Sequence, residues 1–167
     1  ADDSHFTPQI GVAWMVTDTL KLRAQYGEAF MMPSADQMAA DYTSFGSRVV
    51  GNPDLTPEES TTWEGGIDYG QGGLSGSLTY FYTDFKDKIV SDFLLDGSSS
   101  WQNLGDATIS GLEAEVSYDI GTPLGWAWEV RPYLNMTLLT QYEDDSTGED
   151  LQYTSGTNYS TGAVLSN

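Results

Sequence analysis

The residue types that carry out covalent catalysis are scarce in this sequence. His5 is its only histidine, and it contains no cysteine. A Ser-His-Asp triad therefore has little support, and a metal site built from several histidine or thiolate ligands is excluded. The sequence predicts neither an enzyme nor a bound cofactor. We interpret His5 as an exposed residue at the end of a strand.

The densest group of possible cation ligands is the acidic stretch from Asp144 to Asp150. Its carboxylates supply enough oxygen atoms for Ca²⁺, which binds about six to eight of them. Their spacing, however, differs from that of an EF-hand loop. We interpret this stretch as a solvated loop in preference to a calcium site, and we predict no metal site.

Aromatic and arginine side chains in the polar connections could bind a ligand without changing it. Aromatic rings and guanidinium groups suit flat or anionic chelates, because they stack and form paired hydrogen bonds. The candidate ligand-binding residues are Tyr42, Phe45, Arg48, Trp101, Tyr142 and Tyr153. For each of them, packing within a loop or anchoring at a membrane interface is the alternative role.

The overall charge excludes one class of partner. The sequence has 25 acidic and only 6 basic residues, which gives a formal net charge of −19 at pH 7. Nucleic-acid binding depends on clustered Lys and Arg, so no nucleic-acid partner is expected. No apolar run reaches the roughly 18 residues of a membrane-spanning helix. The 18 glycines and the aromatic content of 13% favour strands and turns over helices.

Alternation of apolar and polar residues with a period of two predicts the strands that position these side chains. The predicted strands are residues 6–16, 20–30, 61–69, 74–82 with a continuation toward 90, 112–120, 126–138 and 153–165. Ile109 is out of phase with the strand that follows it, which predicts a bulge near Ser110-Gly111. Pro132 counts against the sixth strand, because proline cannot donate to a sheet ladder.

The connections between these strands alternate strictly in length. Residues 17–19, 70–73 and 121–125 are short, whereas 31–59, 91–103 and 141–152 are long. In the first long connection, Ser34 and Gln37 form a capping-box pattern that predicts a short helix from Ala35 to Tyr42. Short turns at one rim and long loops at the other are typical of an outer-membrane barrel.

Strand length and the distribution of charge agree with a barrel. A tilted strand needs about 9–11 residues to cross the hydrocarbon layer, and several of these strands are that long. Charged residues such as Lys21, Arg23 and Glu113 alternate along the strands with apolar and aromatic residues, which therefore lie on the opposite face. We therefore predict an all-β, antiparallel transmembrane β-barrel with a polar lumen. A soluble β-sandwich or propeller with one solvated face is the alternative that alternation alone leaves open.

An ordered series of motifs resembles the TonB-dependent outer-membrane receptors. The segment from Tyr26 to Ser34 is similar to their YGEAFRxPS motif, with Met31-Met32 as a small departure. The segment from Gly51 to Ser60 resembles their GNPxLxPExS motif. The strands that follow continue the match, through residues 63–66, 79–89, 101–103 and 109–113. The resemblance covers about residues 6–120.

This resemblance implies a fold, a location and a set of partners. It implies a barrel of about 22 strands in the bacterial outer membrane, whose lumen is closed by an N-terminal plug. Such receptors import scarce ligands of the ferric siderophore, haem or cobalamin class, driven through the TonB complex. The implied partners are outer-membrane lipid, the plug and the rest of the same barrel, the TonB complex and a small metal chelate. We expect residues 1–167 to be an internal part of the barrel, about seven strands, without the plug and the last strands.

Two other functions remain open from the residues alone. The first is a passive outer-membrane channel or adhesin barrel without a plug. The second is a soluble β-rich binding module or glycan-acting protein. A plug encoded upstream favours the receptor over the passive barrel, and extraction from membranes only by detergent argues against the soluble module.

Overall fold

The computed structural model describes residues 6–103, 105–145, 147–151 and 155–166. The elements in chain order are β1 (Gln9–Met15), β2 (Leu20–Met31), α1 (Ala35–Ala39), β3 (Asp41–Ser44), β4 (Ser47–Val50), β5 (Glu58–Gln71), β6 (Leu74–Lys86), β7 (Ile89–Phe93), β8 (Ser99–Asn103), β9 (Ala107–Tyr118), β10 (Glu129–Asp144), β11 (Glu149–Asp150) and β12 (Thr157–Ser166). Strands β3, β4, β7 and β8 form a small sheet of their own, and the other eight strands form one large sheet.

The large sheet is an antiparallel wall of long strands in sequence order. Its order is β1-β2-β5-β6-β9-β10, with β11 and β12 both paired to the outer side of β10. Strands β2, β5, β6, β9 and β10 have 12 to 16 residues each. That length exceeds the roughly 9–11 residues that a tilted strand needs to cross a bilayer. The prediction of about seven antiparallel strands, several of them long, is confirmed, and each long strand lies next to its neighbour in the chain.

The register of the wall separates an apolar face from a polar one. One transverse row joins Trp14, Leu22, Ile67, Leu78, Ala114, Met136 and Tyr159. The adjacent row joins Ala13, Arg23, Gly66, Thr79, Glu113, Thr137 and Asn158. Because strand side chains alternate between faces, these rows lie on opposite sides of the wall. This confirms the predicted apolar and polar faces of a barrel wall.

The wall does not enclose an apolar core. Ala40, Leu55 and Ala107 are the buried apolar residues of the described chain. By contrast, Ile10 is 65% exposed and Trp14 63% exposed. A soluble β-sandwich would bury such side chains between two sheets, whereas a barrel wall turns them toward lipid. Among the described residues, no helix is long and apolar enough to cross a membrane.

The connections alternate between two rims, as predicted, although one short turn is longer than expected. Residues 16–19, 72–73 and 119–128 form the short-turn rim, and the described residues of the β2–β5, β6–β9 and β10–β12 connections form the long-loop rim. The predicted strand at 126–138 was wrong at its start, because Trp126 and Trp128 precede β10. The amides of Leu124 and Trp126 instead donate to the Gly121 carbonyl oxygen at 3.2 Å and 3.0 Å and so close a turn. The chain folds back on itself there before it enters the strand.

The predicted bulge lies in the same place but on the neighbouring strand. Leu139 is opposite Gly111 and Gln141 is opposite Ser110, so Thr140 is the extra residue. The hydroxyl groups of Ser110 and Thr140 are 3.1 Å apart. Pro132 is tolerated in β10 because the pairing with β9 begins only at Tyr133.

Other boundaries also differ from the predictions: the first strand is Gln9–Met15 rather than 6–16, and β9 begins at Ala107 rather than at residue 112. The capping box is present, because the Gln37 amide donates to the Ser34 hydroxyl at 3.2 Å and Ser34 N donates to Gln37 Oε1 at 2.8 Å. The helix nevertheless ends at Ala39, because Ala40 is extended with φ −61° and ψ 137°. The predicted strand from 74 toward 90 is broken at Asp87, which has a left-handed φ of 53°. The last strand begins at Thr157, and its predicted start at residue 153 lies outside the described residues.

Candidate functional site

The first two long connections meet at the long-loop rim in a second sheet, which we call the rim sheet (β3, β4, β7 and β8). Its order is β3-β4-β8-β7, so the hairpin of the β2–β5 connection lies beside the hairpin of the β6–β9 connection. Val49 pairs with Ser99 in parallel, and the Ser47 hydroxyl donates to the Gly97 carbonyl oxygen at 2.9 Å. The sequence did not predict this sheet, because its strands have only four or five residues each.

Three candidate ligand-binding residues lie on the β3–β4 hairpin. Phe45 occupies the turn with φ 48° and is fully exposed. Tyr42 is exposed and its hydroxyl donates to Asp36 Oδ2 at 3.4 Å. The Arg48 guanidinium pairs with Asp41, with Nη2 and Oδ1 2.9 Å apart. All three are therefore accessible from outside the wall.

The register of the rim sheet divides the candidates between its two faces. Tyr42 is opposite Val49, and Val49 is opposite Ser99, two residues before Trp101. Strand alternation therefore places Tyr42 and Trp101 on one face, two strands apart, and Arg48 on the other face. The structure brings four of the six candidates into one sheet, but it does not direct them at a single point.

The remaining two candidates are not part of the rim sheet. Tyr142 lies in β10 opposite Ile109 of β9, near the long-loop rim of the wall. Its carbonyl oxygen accepts from the Leu151 amide at 2.7 Å. Tyr153 and His5 both fall outside the described residues.

The acidic stretch from Asp144 to Asp150 bonds to its own neighbourhood. Asp145 Oδ2 accepts from the Thr108 hydroxyl at 2.9 Å, and Asp144 Oδ1 accepts from the Thr147 amide at 3.3 Å. Asp144 is buried, whereas Asp145 is exposed. Within the described ranges, which omit Ser146, no group of three or more acidic or histidine side chains is placed to hold a metal ion.

Two asparagines that we did not select as candidates connect the long loops. Asn52 Nδ2 donates to the Trp101 carbonyl oxygen at 2.9 Å, which joins the first connection to β8. Asn103 bonds to Thr56 in the first connection and to Asp87 at the start of the second. Both asparagines stand in the segments that resemble family motifs. That position in the motifs was the signal that could have identified them as structural residues.

Gly51 shows why its motif needs glycine. A Cβ at Gly51 would lie 2.4 Å from Ala39 N and 2.5 Å from Ala40 N. The Gly51 amide donates to the Ala40 carbonyl oxygen at 2.7 Å, and Asn52 N donates to the Gln37 carbonyl oxygen at 2.8 Å. The motif backbone therefore packs directly on the end of α1, which leaves no space for a side chain at residue 51.

One carboxyl group beside the rim sheet, that of Asp96, has a lowered pKa. Hydrogen bonds from the Ser98 hydroxyl and the Ser98 amide hold the pKa of Asp96 below its usual value, and the positive charge of Arg48 adds to the effect. The two Ser98 bonds measure 2.5 Å and 2.9 Å. Asp96 therefore stays ionised at neutral pH and fixes the tip of the β7–β8 hairpin.

The polar face of the wall carries a second charged group. Lys21 Nζ lies 2.7 Å from Asp68 Oδ2, and Arg23 Nε lies 3.1 Å from Asp68 Oδ1. The Arg23 guanidinium covers Gly66 so closely that an added Cβ would meet Cζ at 2.9 Å. The described side chains of this group and of the rim sheet offer charges, hydrogen-bonding groups and aromatic surface.

The chain matches the family model described as "TonB dependent receptor-like, beta-barrel" over residues 1–166. Among curated proteins, it is 26% identical to the ferric enterobactin receptor of Pseudomonas aeruginosa over 90% of this chain and 22% of that protein. It is 32% identical to an iron-regulated outer membrane virulence protein of Vibrio cholerae over 70% of this chain and 20% of that protein. The chain thus spans about a fifth of the length of these relatives.

The fold agrees with solved structures of such receptors. A mutant of the ferric enterobactin receptor of Pseudomonas aeruginosa in complex with enterobactin superposes with a TM-score of 0.71 at 25% identity. The match covers 95% of this chain and 25% of that receptor. The wall of long strands, its two unequal rims and its division into polar and apolar faces are those of an outer-membrane barrel, and the chain belongs to the β-barrel family of the TonB-dependent receptors.

Proposed function

We propose that the protein containing this segment takes up a ferric siderophore across the outer membrane, with energy from the TonB complex. The observation that carries the proposal is the family match over residues 1–166. The curated relatives named above support the ligand class, since one is named a ferric enterobactin receptor and another is iron-regulated. A plug in the remaining part of the protein is a further element of this proposal.

The rim sheet is our proposed contribution of this segment to ligand binding. Tyr42, Phe45 and Trp101 offer aromatic surface, and Arg48 offers a positive charge at the rim of a strongly acidic chain. Ferric siderophores of the catecholate type combine aromatic rings with a net negative charge. Aromatic stacking and a guanidinium suit both properties. Tyr142, near the end of β10, and Tyr153 remain proposed ligand contacts beside the third long connection.

Growth and uptake by a strain that lacks the gene for the full-length protein test this proposal. The strain would be given a set of defined iron sources, namely ferric enterobactin, another ferric siderophore class, haem and ferric citrate. We expect restored growth and uptake of radiolabelled iron from one siderophore only when the full-length gene and TonB are both present. Uptake that is independent of TonB would instead favour a passive channel, and growth on haem alone would reject the siderophore class.

A further inference from the structure

We infer that Asn103 is a positioning residue that joins the β2–β5 and β6–β9 connections into one body. The contacts that support this inference lie within the chain. Only the purpose of the joint, which is to hold ligand-binding residues of two loops in a fixed geometry, rests on the proposed function.

The side-chain amide of Asn103 contacts three backbone groups. Its Oδ1 accepts from the Thr56 amide at 2.9 Å. Its Nδ2 donates to the Thr56 carbonyl oxygen at 3.0 Å and to the Asp87 carbonyl oxygen at 2.5 Å. The pair of bonds with Thr56 reproduces the two-way exchange of a strand pairing. One amide oxygen and two amide protons are needed for all three bonds, which aspartate, serine and leucine cannot supply.

Asp87 is the point at which the second connection leaves the wall. It lies between β6 and β7 and has a left-handed φ of 53°. This conformation is unfavourable for a residue other than glycine, so surrounding contacts must hold it. The bond from Asn103 Nδ2 to the Asp87 carbonyl oxygen is such a contact. Asn103 therefore fixes the exit direction of the second connection as well as its attachment to the first.

Other contacts join the same two connections at increasing distance from the wall. Near the wall, the Ile89 amide donates to Glu58 Oε1 at 2.5 Å. Farther out, Asn52 Nδ2 donates to the Trp101 carbonyl oxygen at 2.9 Å. At the tips, Val49 pairs with Ser99 and the Ser47 hydroxyl bonds to Gly97. The two connections are thus in contact from base to tip.

The first connection is itself compact. Gly51 and Asn52 bond to the carbonyl oxygens of Ala40 and Gln37 at 2.7 Å and 2.8 Å, across the end of α1. Leu55 is only 7% exposed. A displacement of the β3–β4 hairpin would therefore carry the backbone at Thr56 with it, and the reciprocal bonds at Thr56 pass the displacement to Asn103. This chain of contacts predicts that the two hairpins open and close together.

Hydrogen–deuterium exchange of the full-length receptor in detergent, without ligand, tests the joint. Asn103→Ala is expected to accelerate amide exchange about tenfold in both hairpins, residues 41–50 and 89–103, because the bonds at both stems are lost. The matched control is Gln102→Ala, which changes the exposed neighbouring amide side chain. Acceleration confined to residues 99–103, with the β3–β4 hairpin exchanging as in the wild type, would overturn the inference.

A cross-link between the hairpins distinguishes positioning from a general loss of stability. Val49 and Ser99 are direct partners in neighbouring strands, where Cα atoms lie about 5 Å apart, within the range of a disulfide. The segment has no cysteine that would compete. Val49→Cys with Ser99→Cys should form a disulfide in the oxidised receptor. Added to Asn103→Ala, this disulfide should restore slow exchange in both hairpins, and reduction should remove the rescue.

Two results of the cross-link would reject the single body. One is failure of the disulfide to form in a folded receptor that retains Asn103. The other is an oxidised receptor that still binds the ferric siderophore but no longer takes it up, and that regains uptake on reduction. That result would mean that the two hairpins have to separate during uptake. The exchange measurements need no ligand, so they test the joint even if the proposed function is wrong.

Discussion

Arg23 of β2 and Asp68 of β5 form an ion pair across neighbouring strands of the wall, with Nε and Oδ1 3.1 Å apart. Lys21 Nζ approaches the other oxygen of the same carboxylate at 2.7 Å. The Arg23 guanidinium also donates to the Thr79 hydroxyl of β6. One carboxylate thereby pairs with two basic side chains, and the group ties three strands together on the polar face.

Removing the charge of Asp68 should cost a small, salt-dependent part of the stability. We expect Asp68→Asn to lower the free energy of unfolding by roughly 0.5–1 kcal/mol, because these side chains are partly exposed to solvent. The loss should shrink at high ionic strength, where the charges are screened. Heat unfolding of the full-length receptor in detergent at two salt concentrations measures it. Asp18→Asn, which removes the same charge from the β1–β2 turn, is the control, and an equal loss in both variants would contradict the role of the pair.

Adding one methyl group at Gly51 should disrupt the first long connection. A Cβ there would lie 2.4 Å from Ala39 N, and backbone atoms cannot move aside as a flexible side chain can. We expect Gly51→Ala to destabilise this connection by about 2 kcal/mol, as for other overpacking substitutions. Faster limited proteolysis within residues 32–57 of the intact receptor is the readout.

Gly65→Ala provides the matched control for that substitution. No atom lies within 4 Å of a Cβ added at Gly65, so the same change of residue type meets open space. We expect the protease to cleave the Gly65→Ala variant at the same rate as the wild type. If both variants are cleaved equally fast, the effect comes from the backbone preference of glycine and not from the contact with α1.

The turn at Asp119 should lose stability in acid. Hydrogen bonds from the Thr122 hydroxyl and from the Thr122 and Gly121 amides hold the pKa of Asp119 below its usual value, against the opposing effect of burial. The folded state thus prefers the ionised carboxylate. Its contribution is complete above the unfolded pKa of about 3.9 and is lost as the pH falls through the lower pKa of the folded state.

Asp119→Asn measures this contribution directly. The difference in unfolding temperature between the wild type and this variant should be constant near neutral pH and should disappear as the pH falls below about 3.9. Unfolding scans across this range, with Asp18→Asn as the charge-matched control, supply the measurement. A difference that grows toward low pH would have the wrong sign.

The charge of Arg48 should matter for binding an anionic chelate. We expect Arg48→Gln to weaken the binding of a ferric catecholate siderophore to the full-length receptor about tenfold, the scale of one lost charge-assisted hydrogen bond. Arg48→Lys should retain part of the affinity. Titration of purified receptor with the ferric siderophore gives the dissociation constants.

Asp41 provides the opposite change at the same site. Its carboxylate pairs with Arg48 at 2.9 Å, so Asp41→Asn releases the guanidinium and removes a negative charge. We expect this variant to bind an anionic chelate at least as tightly as the wild type. Weaker binding in Asp41→Asn, together with unchanged binding in Arg48→Gln, would place the ligand elsewhere.

Much of the wall was predictable because its sequence signal is strong and local. Alternation over nine or more residues specified β2, β5, β6 and β9, and it assigned Arg23 to the polar face and Leu22 to the apolar face. The errors lie where local pattern and local geometry disagree. Trp126 and Trp128 continue the alternation of β10, yet the Trp126 amide donates to the Gly121 carbonyl oxygen in a turn that precedes the strand.

The sequence by itself determined the strand periodicity, the unequal rims and the motif glycine, because each depends on neighbouring residues along the chain. Only the tertiary structure decided that the two long connections share the rim sheet. The links at Val49 with Ser99 and at Asn103 with Thr56 join residues that lie some 50 positions apart in the chain. Such contacts leave no period in the sequence. Their geometry also set Tyr42 and Trp101 on one face and Arg48 on the other.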